Sequence, residues 1–134
     1  MKVVLDTNVM VSALIKAGKP RDLWQLAKEK QIVLSKVILE KLLDVIEDLN
    51  VAKYTSQQDV TIFLNVLGKA AIMVKVKSKF KIVREDPDDD MIVLSAYDSK
   101  ARYIVSGDKH LLALKEFKGI RILINNEILN ILNS

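Results

Sequence analysis

Apolar and polar positions fall in blocks along this chain, and the period of the blocks changes. Val3-Val4-Leu5 is an unbroken apolar run that follows Lys2 and stops at Asp6, the pattern of a short strand buried on both faces. Asn8 to about Ala17 has the spacing of a helix and closes at Gly18. Pro20 suits the first turn of a second helix, about Arg21 to Lys30. Ile32 to Leu34 is a brief strand-like run. Ser35 then caps a third helix to about Leu49, in which Ile38, Leu42, Val45, Ile46 and Leu49 share a face. Thr55 or Ser56 caps a fourth helix, about Gln57 to Ala70, before a strand from Ile72 to Val76. Asp86-Pro87-Asp88-Asp89-Asp90 leads into a helix to about Lys100. The pattern ends with a strand at Tyr103 to Val105, a short helix from Asp108 to about Lys115, a strand at Ile120 to Ile124 and a helix from Asn126 to Asn133.

Strands alternating with helices predict an α/β fold: three layers, α/β/α, with a mainly parallel central sheet. Such sheets bind ligands beyond the carboxyl ends of their strands. Asp6 follows the first strand directly, and Asp108 follows "YIVSG" in the same way. The Asp-rich stretch opens a helix. Three acidic positions are therefore expected to converge at one end of the sheet.

Composition narrows what such a cluster does. The chain has 134 residues, no cysteine and a net charge of +4. That length suits one domain, 1–134, with a real core. No apolar run approaches the ~18 residues of a membrane span, and the first residues do not read as a signal peptide. The lack of cysteine excludes disulfides and thiolate metal sites and fits the cytoplasm. Two carboxylates about 4 Å apart repel by roughly 4 kcal/mol at an effective dielectric near 20, so a cluster either raises its own pKa values or binds a cation. Oxygen donors with a single histidine favour Mg²⁺ or Mn²⁺ over zinc. Magnesium held by a few carboxylates is the usual arrangement for phosphate-ester chemistry, and spare basic residues suit a polyanionic substrate.

"VVLDTNVMVSALI", "SKVILEKLLDVI", "DPDDDMIVLSAYDSKARYIVSGDKHLLAL" and "IRILINNEIL", in that order over nearly the whole chain, resemble the PIN-domain ribonucleases, in particular the VapC-like toxins of toxin–antitoxin pairs. The most specific pieces are the strand ending in Asp-Thr-Asn and the Ser-Gly-Asp ahead of a Leu-Leu pair. The resemblance implies a metal-dependent endoribonuclease that hydrolyses RNA, with an antitoxin protein and a second copy of the chain as partners. It carries the four acidic positions of the family onto Asp6, Glu40, Asp89 and Asp108, as ligands of Mg²⁺ or Mn²⁺ directly or through water. Asp86 and Asp90 compete with Asp89, which is favoured because Ala96, seven residues on, matches a small helix residue of the family. Asn8 and Ser106 match polar supporting positions; Ser106 stands where the family often has Thr.

Each of these residues also has a purely structural reading. Asp6 and Asp108 suit helix N-caps, and the Asp-rich stretch, Asp88 above all, suits a charge at a helix N-terminus. Glu40 shares the polar side of its helix with Asp44, Glu47 and Asp48, where solvated residues lie. His110 reads as a helix surface residue and Trp24 as core. Lys75, Lys77, Lys79 and Lys81 occupy alternate positions. They read more readily as a guard on an edge strand or loop than as a ladder for phosphates. A phosphatase of the haloacid-dehalogenase type also begins with a strand ending in Asp, but its second Asp is Asn8 here. A binding module that has lost catalysis is the remaining alternative, and the complete acidic set speaks against it.

Overall fold

The computed structural model describes residues 1–16, 18–27, 29–80 and 87–132, apart from the side chains of residues 19, 26, 49, 87 and 88. Its strands are β1 (Lys2–Leu5), β2 (Gln31–Ser35), β3 (Ala71–Val74), β4 (Tyr103–Val105), β5 (Glu116–Phe117) and β6 (Ile120–Leu123). Its helices are α1 (Thr7–Ile15), α2 (Lys19–Ala27), α3 (Lys36–Ile46), α4 (Leu49–Ala52), α5 (Gln57–Ala70), α6 (Pro87–Ser99), α7 (Lys109–Leu114) and α8 (Asn125–Leu132). The ends of the predicted helices at Ala17 and Asn133, together with Lys81 and Asp86, lie outside the described residues.

The strands form one sheet in the order β3-β2-β1-β4-β6-β5, flanked by helices as the three-layer reading expects. All pairings are parallel except β5 with β6. The continuous apolar runs have their physical cause here: Val3, Val4 and Leu5 lie between β2 and β4 and are buried, as are Ile32, Val33 and Leu34. From β1 the chain builds toward β2 and β3, then crosses back to place β4 on the other side of β1. The gap between β1 and β4 is thus a topological switch point, where crossovers leave in opposite directions and open a crevice past the carboxyl ends. Val3 pairs with Tyr103 and Leu5 with Val105, so Asp6 and Ser106 emerge side by side.

α6 packs against β1, β2, β3 and β4, while α2 packs against α1 and α8. Trp24 is buried as expected and stacks on Phe63 of α5, ring centroids 4.3 Å apart. No helix among the described residues is long and apolar enough to cross a membrane.

Four expectations need correction. The second helix spans Lys19–Ala27, not about Arg21 to Lys30. The third helix ends at Ile46, not Leu49, because Asp48 is extended (φ −63, ψ 136) and caps a new turn, its carboxylate accepting from Asn50 N–H. Leu49 therefore opens α4. The two-residue strand β5 was not expected; it returns to β6 through Lys118 and Gly119, both at positive φ, the geometry of a tight primed hairpin turn. The strand read as Ile72 to Val76 is Ala71–Val74. Residues 75–80 carry no strand, yet burial still alternates from 75 to 79, with Lys75, Lys77 and Lys79 exposed. They continue from an edge strand, so the lysines border the sheet edge instead of forming a paired ladder. Asp98 on α6 holds this segment by accepting from Lys77 N–H, Ser78 N–H and Ser78 Oγ–H. Burial alone would raise the Asp98 pKa, but these bonds and the Lys77 charge outweigh it and hold the carboxyl below its usual range.

Candidate metal centre

Asp6 sits where a helix N-cap belongs: its carbonyl accepts from Val9 N–H and Met10 N–H. Its side chain makes no capping bond. The carboxylate is only 4 % exposed, and it accepts a 2.8 Å hydrogen bond from Ser106 Oγ instead. The side-chain capping reading of Asp6 is thereby overturned. Ser106 in turn accepts from Asp108 N–H at 2.9 Å. One buried hydroxyl therefore joins the residue after β1 to the loop after β4, across the switch point.

Asp108 does cap its helix. Its Oδ1 accepts from His110 N–H at 2.8 Å and Leu111 N–H at 3.2 Å. Capping fixes the carboxylate and does not exhaust it, since an ionised carboxylate has about four acceptor positions. His110 Nδ1 lies 3.8 Å from the same Oδ1.

Asp89 stands in the first turn of α6 and is 4 % exposed. One ligand atom each from Asp89, Asp108 and His110 lie within 4.8 Å of one another. Donors that share one divalent ion at about 2.0–2.6 Å are at most roughly 4–5 Å apart, so this set fits a single ion. Two carboxylates and an imidazole suit Mn²⁺ at least as well as Mg²⁺, because imidazole is a poor match for the harder ion.

The other predicted residues are placed differently. Glu40 lies on α3 with its side chain 60 % exposed, 3.9 Å from Lys36 Nζ, and is not in the group that comes together. Asp90 is half-buried and also lies outside that group. Asp86 and the side chain of Asp88 are outside the described residues. Asn8 is exposed on α1 and borders a cleft that Ser106 also lines. His110 is the residue that sequence reasoning set aside. It is exposed, as a surface residue should be, but its position two residues after Asp108 in a capped turn brings its ring beside that carboxylate. The signal was the Asp-x-His spacing at a predicted N-cap.

Comparison with known proteins follows the same lines. Residues 2–110 match the family model described as PIN domain. The uncharacterised protein MJ1680 of Methanocaldococcus jannaschii is 32% identical over 120 residues, covering 87% of this chain and 76% of that protein. Among solved structures, VapBC2 from Rickettsia felis, bound to a DNA fragment from its promoter, superposes with a TM-score of 0.62. That match has 15% sequence identity and covers 92% of this chain and 98% of the other, a likeness of fold.

Proposed function

This chain belongs to the PIN-domain family, and on that premise we propose that it is an endoribonuclease that hydrolyses RNA phosphodiesters with Mg²⁺ or Mn²⁺. The observation that carries the reading is the convergence of Asp89, Asp108 and His110 at the switch point, with buried Asp6 tied to the same loop through Ser106.

Asp89, Asp108 and His110 would hold the ion. Asp6, which stands outside the group of three and is tied to its loop through Ser106, would hold it through water, as would Glu40, given its exposed place beside Lys36. A divalent ion supplies Lewis acidity toward the phosphate and makes water a better nucleophile at neutral pH. Ser106 holds the Asp6 carboxylate in one orientation, and Asp108 is held by its own helix, so the acidic oxygens are set before substrate arrives. The excess of basic residues, net +4, suits a polyanion.

The reading includes the toxin role of a toxin–antitoxin pair, with an antitoxin protein as partner, in the cytoplasm. The fold shared with VapBC2 supports it. A homodimer fits too. Trp24 is already covered by Phe63, so the apolar surface left for a second copy lies around Leu64 and the exposed Ile62 on α5.

The test is cleavage of single-stranded RNA by purified protein, with Mn²⁺ or Mg²⁺ and with chelator. Internal cuts are expected only with metal, and Asp6→Asn should lower the rate at least about a hundredfold, the scale of losing one preorganised charged group. Asn can still accept from Ser106, so circular dichroism should stay unchanged. Cutting that ignores both chelator and Asp6→Asn would sink the proposal.

A further inference from the structure

Beside the acidic group lies a cleft of about 310 Å³ that the proposed chemistry does not use. Asn8, Ser12 and Ser106 line one side, and Ile124, Asn125 and Asn126 the other. It sits past the carboxyl ends of β1, β4 and β6 and shares Ser106 with the candidate metal centre. Its volume falls at the small end of the ~300–1,000 Å³ typical of ligand pockets. We infer that this cleft receives one unpaired nucleobase of the RNA strand, next to the phosphate being cut, and reads it through the side-chain amides of Asn125 and Asn126. The inference rests on the ribonuclease reading above and adds the source of its sequence preference.

The lining decides the class of ligand. Among the described residues none that lines the cleft is charged. A phosphate would want Lys or Arg, and a cation would want carboxylates. Three carboxamides and the Ser12 hydroxyl instead offer donors and acceptors together, which is what a base edge requires; the Ser106 hydroxyl is already bonded to Asp6 and Asp108. Within the described residues no hydrogen bond engages the amides of Asn8, Asn125 and Asn126, so all three are available to a ligand. Val9 and Ile124, the latter 40% exposed, supply an apolar wall for the ring. Among the described residues no aromatic side chain lines the cleft, so selectivity would come from the base edge and not from stacking. A carboxamide pairs two-fold with N6 and N7 of adenine, which makes adenine the expected favourite. Because Ser106 belongs to both places, the base read here and the phosphate cut next door are neighbours on one strand.

The test has two arms. In the first, four labelled oligonucleotides that differ at one unpaired position are titrated in chelator, where nothing is cut. Wild type should favour adenine over the weakest base by roughly five- to hundredfold, the range of one good bidentate contact. The double variant Asn125→Ala/Asn126→Ala should level the four to within about twofold while its melting temperature holds. Asn126→Asp, which keeps shape but only accepts, should shift preference toward cytosine, whose N4 donates. In the second arm, the cut ends of a randomised RNA are sequenced for wild type and the double variant, and the base preference beside the cut should flatten. Four bases bound alike by wild type, or a preference that survives both substitutions, overturns the inference. If wild type cuts nothing, the ribonuclease reading fails, and the chelator arm still decides whether the cleft reads a base.

Discussion

Ser106→Ala removes one oxygen and two hydrogen bonds. The hydroxyl is buried, donates to the carboxylate of Asp6 at 2.8 Å and accepts from Asp108 N–H at 2.9 Å. Losing a bond to a buried charged group costs about 1.5–3 kcal/mol, and stranding a partly buried backbone N–H adds about 1 kcal/mol. The expected loss is about 2–4 kcal/mol. A chain of 134 residues unfolds with an entropy near 0.28 kcal/mol/K at about 2.1 cal/mol/K per residue. The melting temperature should therefore fall by about 7–14 °C in chelator, measured by circular dichroism or calorimetry. Ser106→Thr restores the hydroxyl at the cost of one extra methyl in a packed site, so it should lose less than half as much. A Ser106→Ala protein that melts within about 3 °C of wild type would refute the bridging role. So would a Thr variant that behaves like Ala.

Mn²⁺ at a hundredfold excess over Kd should stabilise the wild type by about 2.7 kcal/mol, and thermal shift will register it. Asp89→Asn should be more stable than wild type in chelator, with one repelling charge gone, and should gain less from metal; equal gains would remove Asp89 from the site. His110→Ala should reduce the Mn²⁺ gain more than the Mg²⁺ gain, and a proportional loss of both would argue that the imidazole is no ligand. Asp98 has a depressed pKa in the folded state, so its stabilisation is complete above the usual carboxylate range and is lost as pH falls through the lowered value. Wild type should thus outlast Asp98→Ala at neutral pH and converge with it toward pH ~2, a trend that melting curves across pH will show or exclude. Replacing Lys75, Lys77, Lys79 and Lys81 by Gln should leave RNA affinity within about twofold; a salt slope shallower by about three would make them phosphate contacts after all.

The parts of the fold that were legible are those whose cause is local. β1, β2 and β4 announce themselves because burial on both faces demands unbroken Val, Ile and Leu, and α3 and α5 because Ser35 and Ser56 supply real caps. The short elements α4 and β5 have too few residues to show a period. One exists because Asp48 recaps a broken helix, the other because a neighbouring strand is there to pair with. At the candidate site, the places of Asp6 and Asp108 past the ends of β1 and β4 were legible. Their competing roles as caps were not separable by sequence, because the choice depends on Ser106, a hundred positions from Asp6. The bond from Asp98 to residues 77 and 78 and the amides of the cleft left no signal for the same reason: tertiary contact alone gives them their meaning.

The hydrogen bond from Ser106 to Asp6 spans 100 positions of sequence. A ribosome adds about 5–20 residues per second, so the two partners are synthesised roughly 5–20 s apart. Through that interval the first strand carries its carboxylate with nothing to orient it. Asp108 and His110 come later still, and β4 must close against β1 before any of them is in place. A chain arrested or truncated before that strand lacks the candidate metal centre as well as the finished sheet. On the proposed function, cleavage therefore belongs to a chain that has been made past β4 and folded, because Ser106, Asp108 and His110 all follow that strand.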